Sequence, residues 1–114
     1  MSADILDLPE VLERVQNDRG LLVELFDIFL ADCPAKIDII KKAALRSDCG
    51  ALRDAAHAMK GAAGNLSAKR LHAAFSAIEQ TAKKGDLSGL EALLSDLDRQ
   101  WNELKQYIIR FKEG

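Results

Sequence analysis

Apolar positions recur at spacings of three and four along most of the chain, the period of amphipathic helices, and alternation of the strand type is scarce. The clearest stretch is C-terminal. Leu87, Leu90, Leu94, Leu97, Trp101, Leu104, Ile108 and Phe111 form a heptad seam, which predicts one long helix packed against neighbours. A short first helix is expected from about Pro9 to Gln16, with Pro9 in its first turn. A long apolar helix follows from about Leu21, and Pro34 inside it predicts a kink or a break. Asp48 and Asp86 each precede an apolar residue by four positions and read as N-caps. A helix is expected from Cys49 to about Asn65. Another should start after Ser67, also a good cap, and end at Lys83-Lys84-Gly85, where two cations meet the negative helix end. The pattern predicts an all-α antiparallel four-helix bundle with a short extra N-terminal helix, as one domain over residues 1–114.

Composition supports helices. Aromatic residues are 5% and hydrophobic residues 48% of 114, with Ala and Leu dominant. The net charge of −2 argues against bulk nucleic-acid binding. Cys33 and Cys49 stand far apart outside any metal motif and read as reduced thiols. Met1-Ser2-Ala3-Asp4 is acidic where a signal peptide is basic, and Glu24 and Asp27 interrupt the most apolar stretch. The expectation is a cytoplasmic monomer with no membrane insertion.

The Cys49–Asn65 segment has two unlike faces. Leu52, Ala55, Ala56, Met59, Ala63 and Leu66 make an apolar stripe, and His57, Gly61 and Gly64 fall opposite. Glycine inside a helix costs about 1 kcal/mol relative to alanine. Two on an outer face therefore suggest a surface cleared for close approach by a partner. Lys60 lies one turn from His57 and is placed to meet an anionic group there; as an exposed charge it is expected to matter little to folding. Asp54, three residues before His57, is a candidate to orient its ring. His72 reads as surface filler. Residues 46–70 hold five basic and two acidic side chains, a local +3, whereas residues 1–32 hold eight acidic and two basic ones, a local −6. A basic site face on an acidic protein suits an acidic partner.

The stretch His57-Ala58-Met59-Lys60-Gly61-Ala62-Ala63-Gly64-Asn65 resembles the signature of the histidine-containing phosphotransfer (HPt) domain family. Phe29-Leu30-Ala31-Asp32-Cys33-Pro34, Leu52-Arg53-Asp54-Ala55-Ala56-His57 and Lys84-Gly85-Asp86 resemble flanking segments of that family, and Ser67 departs from a glycine common there. The resemblance implies a phosphorelay intermediate without an ATP site of its own. It implies His57 as phosphoacceptor and Lys60 as stabiliser of phosphoryl charge, with Arg53, Gly61, Gly64 and Lys69 on the docking face. It implies response-regulator receiver domains as partners, a hybrid sensor histidine kinase as a further candidate, and Mg²⁺ supplied by the receiver. No Walker-type GK[ST] loop occurs in the sequence, in keeping with a carrier. The alternative is a docking or scaffold bundle that is never phosphorylated. A small hydrolase using His57 as base is a third reading, disfavoured because no Ser, Cys or second His lies near it in sequence.

Overall fold

A computed structural model describes residues 5–114. Among the described residues there are five helices: α1 (Leu8–Arg14), α2 (Arg19–Leu45), α3 (Cys49–Asn65), α4 (Lys69–Lys84) and α5 (Leu90–Glu113). The molecule measures 42 × 23 × 20 Å. Its long dimension matches α2, whose 27 residues span about 40 Å at the α-helical rise. Connections of three residues reverse the chain between α2, α3 and α4. The four long helices therefore pack antiparallel, α3 against α2 and α4, and α5 against α4 and α2.

The apolar spacings explain the core. Leu22, Phe26, Phe29, Cys33, Ile37 and Ile40 of α2 are buried along one stripe. Leu90, Leu97, Trp101, Leu104 and Ile108 of the C-terminal seam are buried with them, while Leu94 and Phe111 are half-buried. Phe29 meets Trp101 edge-on at 5.8 Å, and Phe26 meets Phe111 at 5.4 Å. The helix runs through Pro34 without the break that the sequence allows. Pro34 is exposed, so its ring projects to solvent and its missing N–H costs one bond, while the core stripe continues on the opposite face.

Helix ends show where local chemistry differs from expectation. Asp7, Asp18 and Asp48 cap α1, α2 and α3 by accepting from Glu10, Leu21 and Ala51 backbone N–H groups. Asp86 does not cap α5. Its carboxylate accepts from the N–H and hydroxyl of Ser88 in a tight local turn, and Gly89, at φ 84°, leads into the helix instead. Ser67 is not the cap of α4 either. That place belongs to Ala68, which offers no side-chain bond.

The first three connections share one design. The residue after each C-cap (Gln16, Ser47 and Ser67) is left-handed, and its N–H and the next one return to the helix end in a Schellman pair. At Ser67 the strain is offset. The residue is fully buried and its hydroxyl donates to Glu10 Oε1 at 2.6 Å. Glu10 also receives Lys69 at 2.9 Å, and these two bonds, Ser67 first, hold its carboxyl below the usual range. From the same helix Arg14 donates to the carbonyls of Gly64 and Asn65 at 2.7 and 2.9 Å. α3 has no basic residue in its own last turn, so Arg14 supplies the cation that its C-terminus lacks. Replacing Arg14 by Ala leaves the Asn65 carbonyl to water and the Gly64 carbonyl with the Ser67 backbone N–H. The expected loss is about 1 kcal/mol, read as a melting temperature lower by about 4 °C.

Candidate functional site

His57 lies mid-way along α3, with a side chain 67% exposed. Its Nδ1 is 2.7 Å from Oε2 of Glu79 on α4. That glutamate is the feature the sequence reading missed. Its side chain is only 2% exposed, and it shares the apolar stripe of α4 with Phe75, Ile78 and Ala82. A carboxylate so placed must be paired to stay ionised. Lys60 supplies the pairing, with Nζ 2.6 Å from Oε1, and Lys83 adds a looser contact at 3.6 Å from Oε2. The Lys60 contact first, with the His57 bond and Lys83 in support, overcomes burial and holds the Glu79 carboxyl down at about 2.

The ionised carboxylate fixes the imidazole. A carboxylate only accepts, so Nδ1 of neutral His57 carries the proton and Nε2 keeps its lone pair on the exposed edge of the ring. The arrangement is an imidazole nitrogen with a free lone pair on the surface, oriented from beneath. Asp54 does not take this part; it pairs with Arg53 at 3.2 Å, and both are exposed.

The other expected site residues separate. Lys60 is not a free surface cation: its side chain is 25% exposed and is committed to Glu79. Gly61 is exposed, and a methyl group there would meet nothing within 4 Å, consistent with a cleared surface. Gly64 has a different reason. It is half-buried, and a Cβ would lie 3.2 Å from Nδ1 of His72, whose ring donates to the carbonyl of Lys60 at 3.0 Å. Gly64 thus lets α4 dock on α3, and His72 is a bracket between helices rather than filler. Lys69 lies beyond the end of α3, tied to Glu10, away from His57 by about 12 Å or more of helix. The basic face is largely neutralised, since Arg70 also pairs with Glu103 at 2.6 Å.

On the side of α3 away from Glu79, a shallow apolar groove runs between α2 and α3. Leu25, Ile28, Phe29, Ala58, Met59 and Ala62 line it, and Ile28 is 58% exposed. The ridge of α3 that carries His57 and Gly61 borders this groove.

The described residues thus form five helices, with an oriented, exposed histidine on the third. The chain is a member of the Hpt domain family, which its sequence matches over residues 24–112. It is similar to the crystal structure of histidine-containing phosphotransfer protein B from Pseudomonas aeruginosa PAO1. That similarity has 27% identity and a TM-score of 0.73, covering 93% of this chain and 87% of the other. Comparison with curated proteins gives no match. The family membership places the protein in phosphotransfer of two-component signalling. No helix among the described residues is long and apolar enough to cross a membrane.

Two sets of variants test the site's architecture. Gly61→Ala is expected to raise the melting temperature by a few degrees, from helix propensity alone. Gly64→Leu is expected to lower it by displacing His72, although propensity favours the change.

The second set concerns the buried carboxylate. Lys60→Ala strips Glu79 of its main counter-charge and is expected to lower the melting temperature by about 5 °C or more at pH 7. Because the Glu79 carboxyl lies below its usual 4.5 in the folded state, its ionic contribution is complete above 4.5 and is lost as pH falls toward about 2. The stability gap between the parent and Glu79→Gln is therefore expected to close across that interval in pH-dependent melts.

Proposed function

We propose that this Hpt domain accepts a phosphoryl group on Nε2 of His57 from the aspartyl phosphate of a receiver domain and passes it to or from another receiver. The observation that carries the reading is the pairing of an exposed imidazole with a buried, ionised carboxylate. The pairing leaves one defined nitrogen to attack. Nε2 forms the new P–N bond, the P–O bond to the receiver aspartate breaks, and its electron pair returns to that carboxylate. The Nδ1 proton stays directed at Glu79, which offsets the positive charge the ring gains. This is a carrier's task; in this reading the chain has no ATP site and relies on its partner's catalysis.

Gly61 gives the receiver a flat approach to His57, and the groove beside Ile28 and Ala58 offers apolar surface for docking. Among the described residues no group of three or more His, Cys, Asp or Glu is placed to hold a metal. In this reading Mg²⁺ is supplied by the receiver. Arg53 is exposed on α3 beside the histidine, paired with Asp54, and in this reading that exposed pair lies within the face an acidic partner approaches. Donors of the class proposed are free receiver domains or the receiver of a hybrid sensor histidine kinase, and the chain acts as a monomer in the cytoplasm.

Incubation with a phosphorylated receiver, followed by mass mapping of acid-labile phosphate, tests the reading. Phosphate is expected on His57, and His57→Gln is expected to retain the parent's melting temperature within about 2 °C, as for a surface substitution, while losing all uptake. Phosphate mapped to His72, or uptake undiminished in His57→Gln, overturns it.

A further inference from the structure

The two lysines that contact Glu79 are not equivalent. Lys60 approaches Oε1 at 2.6 Å from the same helix as His57, and three-quarters of its side chain is buried. Withdrawing it would leave an ionised carboxylate in an apolar stripe without its principal counter-charge. Lys83 approaches Oε2 at 3.6 Å, beyond ordinary hydrogen-bond length, and its side chain is 51% exposed. It stands in the last turn of α4, and the oxygen it faces is the one that accepts from His57. Moving Lys83 costs the network little, because an exposed ion pair of that length is weak.

We propose that Lys83 is the cation that meets the phosphoryl group on His57, while Lys60 stays in place as the counter-ion of Glu79. The inference rests on the phosphocarrier reading and reassigns the charge-stabilising role within it. A phosphoryl group on Nε2 places a strong anion next to Glu79 without its own counter-charge. Lys60 cannot serve both anions without exposing Glu79. Lys83 needs only a change of side-chain rotamers at its exposed end to exchange a loose carboxylate contact for a charged bond to phosphoryl oxygen. Arg53 on α3 pairs with Asp54 rather than with Glu79, so it has no contact with the carboxylate that holds His57, whereas Lys83 already touches the oxygen that accepts from the imidazole.

A small phosphodonor separates this assignment from partner docking. The parent, Lys83→Ala, Lys83→Arg and Lys60→Ala are treated with potassium phosphoramidate. Nε2 of His57 displaces ammonia at phosphorus, and mass mapping confirms the position. Phosphorus NMR then follows titration of the His57 phosphoryl group. In Lys83→Ala its midpoint is expected to rise by about half a unit to one unit, from loss of a nearby opposite charge. Formation of phospho-His57 is expected to slow about tenfold, with the melting temperature unchanged. Lys83→Arg is expected to restore both phosphoryl readouts. Lys60→Ala is expected to show its main effect in the melting temperature. If the parent takes phosphate on His57 and Lys83→Ala titrates and reacts as the parent does, the assignment to Lys83 is overturned and the carrier reading stands. If the parent takes no phosphate on His57 from either phosphoramidate or a receiver, the carrier reading fails, and this assignment with it.

Discussion

A single buried carboxylate joins the fold to the site. Glu79 occupies a core position of α4, where an apolar residue would pack without cost, and it remains ionised because α3 presents Lys60 and His57 to its two oxygens. The contact fastens α3 to α4 by charge where neighbouring turns are fastened by packing. It also decides which imidazole nitrogen is free. Stability and reactivity therefore share one group, and a change at Glu79 alters both. Burial of such a group is rarely the most stable choice for a helix interface. Its presence here is understood from what it does to the histidine.

The helical layout was legible because burial follows spacing: the C-terminal seam, the α3 stripe and the long α2 stripe all pack as their periodicity requires. The exposure of His57 and Gly61 was legible too, since both fall on the wheel opposite the apolar stripe of α3. Glu79 was not, because 22 residues separate it from His57 and glutamate is ordinarily a solvated helix residue. A signal was present nonetheless. Glu79 lies four residues after Phe75 and three before Ala82, so it falls on an apolar stripe where a carboxylate is out of place. Lys60 and Gly64 were misjudged for a related reason. A helical wheel shows direction but not the neighbouring helix, and α4 covers the flank on which both of them lie.

The capping differences come from long-range partners as well. Ser67 has the composition of a cap, yet its hydroxyl is drawn to Glu10 and its backbone is held left-handed at φ 58°. Local signals at this corner yield to α1, which binds the connection through Glu10 and the end of α3 through Arg14. The short N-terminal helix is thus a clamp on the helix that carries the histidine, and not an appendage to the bundle.

The α2–α3 groove lies across the ridge of α3 from Glu79, so the surface proposed for docking and the groups that orient the imidazole have no residues in common. A lineage that duplicates such a protein can rewrite the groove through Leu25, Ile28 and Ala62 and acquire a new correspondent, with the acceptor nitrogen untouched. Pathways kept apart in this manner would diverge in recognition while retaining one inherited chemistry, and insulation between them would be a property of one side of a single helix.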